Sequence, residues 1–361
     1  MATPKFTAPT TSFYAELRNR TNAYFEERGS HPTGNYKLYL KAAVLLSSLV
    51  LLYVHLVFFT PPVWLALFEC ILLGGVTAAI GFNVMHDGGH GSFSKKKWIN
   101  ELAGLSLNML GANIHMWTTK HNVIHHTYTN IDGVDDDLDA KPFLRLCDNQ
   151  KHLKIHKYQH FYFWGAYSML YLYWVFFTDY LKYFTQKVGD IPIKKMKRAD
   201  HFSFWGFKGA HFIMFVVLPM YTVGFLPWLV GFLVYGMVTG FVMSIVFQLA
   251  HTVEHAQFPI PSGPANRIED EWALHQLKTT ANFATKNKVV SWLTGGLNFQ
   301  IEHHLFPRIS HVHYPAISKI IKQACAEFNV PYLEFPKTRT AILSHIAHLR
   351  QLALQPVPVR A

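Results

Sequence analysis

Two stretches of this 361-residue chain lack lysine and arginine entirely, and these gaps constrain the fold more than any other feature. Residues 42–94 and 209–266 contain none of the 33 basic residues. Each stretch has room for two helices that cross a bilayer, because about 20 apolar residues span ~30 Å of hydrocarbon. We predict spans at residues 38–59, 63–85, 207–228 and 229–250.

Four spans place all the basic residues on one side of the membrane, which is the positive-inside pattern. The sequence therefore predicts an all-α integral membrane protein with four transmembrane helices in two hairpins and a helical cytosolic cap. Both termini are expected in the cytosol. Thr60, Pro61 and Pro62 end the first span, since proline cannot continue a helix without losing a hydrogen bond. Pro219 and Pro227 predict a kink and a turn in the second apolar stretch.

Two further apolar runs, near residues 99–116 and 161–180, are predicted to lie at the membrane interface. The first contains several polar side chains, and the second is amphipathic and rich in tyrosine and tryptophan, as in interfacial belts. Residues 1–37 are expected to form a cytosolic lead-in with one amphipathic helix on the bilayer. Residues 38–333 are the predicted membrane domain, and 334–361 a cytosolic helix and tail.

Composition agrees with a membrane protein that carries a polar cap. Half of the residues are hydrophobic and 15% are charged, whereas roughly 25% are charged in soluble domains. The net charge of +11 does not predict nucleic-acid binding, because the basic residues are spread over loops without a nucleic-acid motif. The three cysteines are isolated, which agrees with a reducing cytosolic face.

Nine of the 22 histidines fall in four short clusters beside the predicted spans. Imidazole is the commonest side-chain ligand of transition metals, and an i, i+4 pair projects from one face of a helix. Eight or more nitrogen ligands are too many for one tetrahedral zinc, so the sequence predicts two metal ions at one site. The clusters are His86-Asp-Gly-Gly-His90, His121-Asn-Val-Ile-His125-His126, His251-Thr-Val-Glu-His255 and Gln300-Ile-Glu-His303-His304.

Acidic residues accompany the histidines. Asp87, Glu254 and Glu302 are predicted to accept the second N–H of the ligating rings, which fixes the tautomer. Asp132, residues 135–137 and Asp139 resemble a calcium loop, but the glycine and terminal glutamate of an EF-hand are missing. We expect them to support the histidines or to begin a helix.

The motifs HDGGH, HNVIHH and QIEHH, in this order, resemble the three histidine boxes of the membrane fatty acid desaturase family. Residues 295–307, with glutamine as the first residue of the third box, are similar to its front-end branch, the delta-6 and delta-5 or linoleoyl-CoA desaturase-like enzymes. The resemblance covers about residues 38–333. It implies a non-haem di-iron centre that uses O₂ to remove two hydrogens from an acyl chain, leaving a cis double bond and water. The implied metal ligands are His86, His90, His121, His125, His126, Gln300, His303 and His304.

The resemblance implies one more histidine ligand at the end of the fourth span, with His251 as the choice and His255 as the alternative. The electrons would come from a ferredoxin or cytochrome b5. Many front-end members carry a fused cytochrome b5 domain with an HPGG motif, whereas here only His31-Pro-Thr-Gly34 appears in a short lead-in. A separate electron donor is therefore expected, steered by the basic cytosolic face.

The substrate is expected to be an acyl-CoA or an acyl-lipid, with the new double bond on the carboxyl side of an existing one. A bacterial inner membrane is favoured over the endoplasmic reticulum. A hydroxylase or a sphingolipid-type desaturase would use the same scaffold, and product analysis separates them. A haem-binding membrane electron carrier would need histidines within the spans, and a metal transporter would need polar residues along them.

Overall fold

The computed structural model describes residues 3–7, 12–263 and 266–354 and is predominantly helical. Within these ranges, four helices are long and apolar enough to cross a membrane, as the sequence predicts. We refer to them as the first, second, third and fourth long helices. Their bounds are Tyr36–Phe59, Val63–His90, Arg198–Val223 and Phe225–His251.

The boundary between the third and fourth long helices differs from the predicted one. The turn lies at Gly224 and not at Pro227, so the predicted limits at residues 228 and 229 are wrong. Gly224 has a φ of 87°, a conformation that glycine adopts without steric strain. Pro227 lies in the first turn of the fourth long helix, where its missing N–H would have had no helical partner. The third long helix also starts earlier than predicted, at Arg198.

The second and fourth long helices pack together through small residues. A side chain at Gly74 would meet the carbonyl oxygen of Tyr235 at 2.8 Å, so the two backbones approach closely there. A side chain at Gly240 would meet the carbonyl oxygen of Ser168 at 2.4 Å, which brings a shorter helix against the fourth long helix. The first long helix packs on the second through Leu38, Ala42, Leu45, Ala79 and Ile80.

The other elements in the described residues are short. The α-helices outside the long helices are Phe13–Glu27, Lys97–Met109, Ile114–Trp117, His126–Tyr128, Gln159–Ser168, Leu170–Tyr173, Asp179–Thr185, Trp272–Thr279, Lys288–Leu293, Gln300–Leu305, Tyr314–Glu327 and Thr338–Leu354. Three π-helical turns lie within the first, second and third long helices, namely His55–Phe59, Gly81–Met85 and Ile213–Val217. The other π-helical turns are Thr118–His125 and Trp174–Thr178, and the 3-10 turns are Asp136–Leu138, Lys154–Tyr158 and His311–His313.

Three pairs of two-residue strands add to the predicted all-α architecture. Lys5–Phe6 pairs in parallel with Arg267–Ile268, and Asn282–Phe283 pairs in parallel with Glu334–Phe335. The antiparallel pair is Lys187–Val188 with Ile191–Pro192. Because each strand has only two residues, these pairs join loops and do not form a separate layer.

The two apolar runs assigned to the interface form short helices with breaks. The run at 99–116 is divided near Gly111, which has a φ of 94°. The run at 161–180 is divided at Met169. Neither supplies about 20 residues in one helix, the length that crosses a bilayer. Their placement at the interface stays a prediction.

Both terminal segments pack against the rest of the protein. The predicted lead-in helix exists as Phe13–Glu27, but its apolar face is buried against protein and is not free to lie on a bilayer. Leu17 on that face is fully buried, in a cluster that includes Ile301 and Ile317. The helix Thr338–Leu354 likewise packs against earlier segments and is not a separate tail.

Candidate metal centre

Eight histidines from four parts of the chain meet in one buried cluster, as the sequence predicts. His86 and His90 lie in the last turn of the second long helix, and His251 is the last residue of the fourth. The second box lies on the π-helical turn Thr118–His125 and the residue after it, and the third on Gln300–Leu305. Each ring belongs to a residue that is at most 9% exposed. The eight are His86, His90, His121, His125, His126, His251, His303 and His304.

The ring nitrogens form two groups made of histidine alone, each small enough to surround one ion, and a third group joins His121 and His125 with the carboxylate of Asp137. Within a group, one nitrogen from every ring lies within 4.8 Å of the others. The first group is His86, His90, His121 and His303, and the second is His125, His251 and His304. Four imidazoles on one side and three on the other agree with the expectation of two metal ions.

His126 lies between the two groups. Its ring centroid is 4.5 Å from that of His303 in the first group and 4.5 Å from that of His304 in the second. Nε2 of His121 lies 3.1 Å from Nε2 of His86 and 3.2 Å from Nε2 of His126. One imidazole nitrogen carries either a hydrogen or a lone pair, so it cannot make two good hydrogen bonds. A cation among the rings would account for this approach.

Two boxes are associated with π-helical turns, which the sequence analysis did not foresee. Gly81–Met85 forms one turn directly before His86, and Thr118–His125 forms the other. The predicted spacing is that of an α-helix, yet the π turn still stacks His121 on His125 with ring centroids 5.2 Å apart. Such turns are rare and occur frequently at functional sites.

Neighbouring groups hold the second ring nitrogen of four clustered histidines. Each Nδ1 lies within hydrogen-bond distance of an oxygen. A carboxylate or carbonyl oxygen accepts from Nδ1–H and so leaves the lone pair on Nε2, whereas a hydroxyl orients the ring and can either donate or accept. The pairs are His125 with the carboxylate of Asp135 at 3.1 Å, His303 with the hydroxyl of Tyr314 at 3.1 Å, His304 with the side-chain oxygen of Gln276 at 2.8 Å, and His251 with the carbonyl of Thr279 at 3.2 Å.

Among the described residues, none of the three carboxylates predicted for this supporting role accepts a hydrogen bond from a clustered ring. Asp87 accepts hydrogen bonds from Ser310 at 2.7 Å and from His311 at 3.1 Å, and neither donor belongs to the cluster. Glu254 is exposed, beyond the end of the fourth long helix. The prediction was wrong for both residues. Consecutive helical residues point about 100° apart, so a residue next to a ligand does not have to face the site, although His126 and His304 do.

Glu302 shows the same geometry at the third box. Its carboxylate accepts hydrogen bonds from Asn282 and Tyr332, each at 2.7 Å, and not from His303 or His304. Asn282 in turn accepts the backbone N–H of Ile301 at 2.9 Å. Glu302 therefore fixes the short helix that carries the box and does not contact the rings directly.

His255, the alternative to His251, does not join the cluster. It is exposed and has a φ of 72°, because the fourth long helix ends at His251 and the chain turns. The i, i+4 spacing from His251 to His255 therefore does not place the two rings on one helical face. Of the two histidines left open by the sequence, the structure brings His251 to the site.

The aspartate-rich loop after the second box supplies a carboxylate that accepts a hydrogen bond from a clustered ring, the role predicted for Asp87, Glu254 and Glu302. Asp135 accepts hydrogen bonds from His125, from the backbone N–H of Asn130 at 2.9 Å and from that of Asp137 at 3.1 Å. It thus fills both roles predicted for this loop, since it also begins the turn Asp136–Leu138.

Other supporting residues gave no signal in the sequence. The side-chain amide of Asn130 donates to the carbonyl of His251 at 2.9 Å and joins the second box to the fourth long helix. Trp117 stacks on His121 with ring centroids 4.5 Å apart, and a side chain at Gly89 would meet the indole at 2.4 Å. Such contacts depend on folding of distant segments, so spacing along the chain could not reveal them.

The cluster leaves many polar atoms unsatisfied in the protein alone. Among the described residues, Nε2 of His90, His125, His251, His303 and His304 has no hydrogen-bond partner. Buried polar atoms without partners are rare in folded proteins, because each costs about 1–3 kcal/mol. Five such nitrogens directed at two small groups fit a site for metal ions. Nε2 of buried Gln300 is likewise without a partner, three residues before His303.

The electrostatics favour uncharged rings at most of these positions. Burial lowers the pKa of His121, His126, His303 and His304 well below the usual value, and neighbouring imidazoles lower it further. His125 differs, because burial lowers its pKa but the carboxylates of Asp135 and Asp137 outweigh that effect and raise it. Neutral imidazole is the form that binds a metal.

Comparison with known proteins decides the family. A profile described as fatty acid desaturase matches residues 62–336. The chain belongs to the fatty acid desaturase family. It is 36% identical, over 95% of its length and 93% of the relative, to the sn-1 linoleoyl-lipid 6-desaturase of Arthrospira platensis. It is 37% identical to the protein of the same description from Synechocystis, over 94% of the chain and 95% of that protein. The acyl-lipid (8-3)-desaturase of Physcomitrium patens is 35% identical over 96% of this chain and 73% of the relative.

These relatives confirm the front-end resemblance and the predicted reaction. The protein is a membrane oxidoreductase that introduces a double bond into a fatty acyl chain. The hydroxylase and the haem-binding carrier are not favoured. The sequence reached the family through the three boxes, and the structure adds how their rings are brought together.

Proposed function

We propose that the two histidine groups hold two iron ions as one di-iron centre. The observation that carries this proposal is the convergence of five buried nitrogens without partners on two small groups. The first group would hold one ion through four rings and the second group the other through three. His126 lies where it can reach either ion, and Gln300 would contribute a weaker ligand, directly or through a water. When bound, the iron supplies the one-electron chemistry that activates O₂.

The chain's own residues hold and orient the ligating rings. Asp135, Tyr314 and Gln276 fix the rings of His125, His303 and His304 from the outside, so that Nε2 of each ring stays directed at the metal. Burial of the whole cluster keeps bulk water away from the rings, which would limit side reactions at the site. We therefore expect geometry at this site to depend on its supporting residues as well as on the ligands.

The proposed substrate is a long-chain acyl-lipid, with the new cis double bond on the carboxyl side of an existing one. This rests on relatives described as linoleoyl-lipid 6-desaturases and an acyl-lipid (8-3)-desaturase that match nearly the whole chain. An acyl-lipid in the bilayer can present its chain to a site at the ends of two long helices. An acyl-CoA remains the alternative carrier.

We also propose a topology of two hairpins with both termini and the metal centre in the cytosol. The support is the absence of basic residues from 42–94 and 209–266 together with His86, His90 and His251 at the ends of their long helices. A bacterial inner membrane is the proposed location, and a separate ferredoxin or cytochrome b5 is the proposed electron donor.

Feeding linoleate to an expressing host tests the proposed reaction. We expect a new double bond on the carboxyl side of those already present, measured by gas chromatography of fatty acid methyl esters with derivatives that locate double bonds. The product should appear in the glycerolipid fraction before the acyl-CoA fraction, because the chain would be desaturated on the lipid. The matched control is the same host expressing His304→Ala. A new bond on the methyl side, or unchanged chains with iron and a working donor present, would contradict the proposal.

A further inference from the structure

A groove with apolar walls lies on the third long helix, and none of its lining residues belongs to the histidine cluster. It has a volume of about 640 Å³, within the usual range of about 300–1,000 Å³ for ligand sites. Its walls come from the helical run 174–185 and the third long helix. The apolar residues that line it are Val175, Phe176, Phe184, Trp205 and Phe212.

Two of the side chains that line the groove are Lys208 and His211, and they differ in their pairing. Nε2 of His211 has no hydrogen-bond partner among the described residues, whereas Lys208 is fully paired within the protein. Lys208 donates to the carbonyls of Gly111 at 2.7 Å and Val175 at 2.8 Å, and forms an ion pair with Asp179 at 3.0 Å. Its three donors are therefore used, and its charge is balanced. Lys208 therefore leaves no free charge in the groove, and the apolar side chains around it favour an apolar ligand.

A basic segment adjoins one end of this groove. Residues 186–200 carry five basic residues and only two carboxylates. Ile193 and Met196 are buried in a cluster with Phe204, which anchors the segment to the protein. Four basic side chains of this segment are exposed, and none of them makes an ion pair with another described residue. They are Lys194, Lys195, Lys197 and Arg198.

The basic segment and the groove follow one another along the axis of the third long helix, so they would lie at different depths in a bilayer. At 1.5 Å per residue, Trp205 lies ~10 Å and Phe212 ~20 Å along the third long helix from Arg198. Phe184 and Phe212 are 70% and 51% exposed, so the groove opens sideways on a helix that is long and apolar enough to span. A headgroup at Arg198 and an acyl chain beside Trp205 and Phe212 would match the layers of a bilayer.

We propose that this groove and the basic segment form a binding site for one anionic glycerolipid of the bilayer. One acyl chain occupies the groove, and the negative headgroup lies against Lys194, Lys195, Lys197 and Arg198. Charge complementarity supports an anionic headgroup, since basic residues beside a membrane attract anionic lipids. The sideways opening favours a bilayer lipid over a soluble acyl-CoA. The site is separate from the metal centre and does not depend on the substrate proposed above.

A glycine in the groove provides the first test. Gly209 lines the groove, and a Cβ there would meet no heavy atom within 4 Å, so Gly209→Leu starts a bulky side chain in open space beside the groove. Gly206→Leu is the matched control, since Gly206 is also exposed and open but does not line the groove. We expect Gly209→Leu to lower retained phosphatidylglycerol severalfold, measured by native mass spectrometry from phosphatidylcholine nanodiscs with rising phosphatidylglycerol. Equal retention in both variants would overturn the proposal.

The headgroup contact is tested by charge removal. Replacing Lys194, Lys195 and Lys197 together with glutamine should raise the phosphatidylglycerol fraction needed for half-occupancy at least about tenfold. The control replaces the exposed residues Lys95, Lys96 and Lys97, which removes the same charge at another segment. Equal losses in the two triple variants would indicate general surface attraction and contradict a site. Equal retention of phosphatidylcholine, or displacement of the lipid by palmitoyl-CoA, would also contradict the proposed ligand.

Discussion

His251→Ala should abolish desaturation, with a loss of at least about 100-fold in turnover, because this ring is one of only three in the second group. Loss of an outer partner of a ligand already lowers metal affinity or activity by about 10–100-fold, so loss of a ligand should do at least as much. Nε2 of His251 has no hydrogen-bond partner in the part of the chain that the structure describes, and its ring centroid lies 4.7 Å from that of His304. We expect iron content to fall together with product formation.

His255 provides the matched control in the same cluster of sequence. His255→Asn removes the imidazole, and asparagine tolerates the left-handed backbone at this position better than most residues. Because His255 is exposed and outside the cluster, iron content and turnover should stay within about twofold of the unmodified enzyme. Iron loss in His255→Asn with retention in His251→Ala would reverse the assignment. Thermal unfolding of both variants shows whether the fold is intact.

Asp135→Asn should lower iron affinity and turnover by about 10–100-fold, the usual range for a group that orients a ligand. The carboxylate accepts hydrogen bonds from His125 and from the backbone N–H groups of Asn130 and Asp137. An amide has one acceptor oxygen and two N–H donors, so it cannot serve all three donors. The negative charge that faces the ring of His125 is also lost. Activity should recover in part when excess iron is supplied, which a purely structural defect would not allow.

The neighbouring Asp139→Asn is the control for charge in this loop. Asp139 is 55% exposed and makes a surface ion pair with Lys141 at 3.4 Å. Surface pairs contribute about 0–1 kcal/mol, so iron affinity and turnover should be unchanged. If Asp135→Asn kept full iron affinity, or if Asp139→Asn lost as much, Asp135 would not be the residue that holds His125.

The sequence predicted those parts of the enzyme that repeat a local pattern. Four long apolar helices followed from the two stretches without basic residues, and the histidine boxes named the rings that meet at the site. His251 could be favoured over His255 only through the family resemblance. The structure adds a physical reason for preferring His251. The helix ends at His251, so His255 is not on the same helical face four residues later.

The remaining features depend on contacts between distant segments or on backbone geometry. Tyr314 and Gln276 reach their histidines only after the cap has folded, so no spacing indicates them. The carboxylate of Asp87 is held by Ser310 and His311, and adjacency in sequence alone does not show which neighbour of a ligand faces the site. The sequence predicted the turn at Pro227 because proline often ends a helix. The turn lies at Gly224 instead, since proline is tolerated in the first turn of a helix.

The metal content of the purified enzyme tests the central claim most directly, namely that the two histidine groups hold two iron ions. Iron and zinc should be measured by mass spectrometry of the metals in protein purified from iron-supplied cells, with Mössbauer spectroscopy of the same sample. We predict two iron ions per chain with a Mössbauer spectrum of non-haem iron, and about half the iron or less in His251→Ala. One iron per chain, or zinc in its place with activity retained, would contradict two iron ions at these groups.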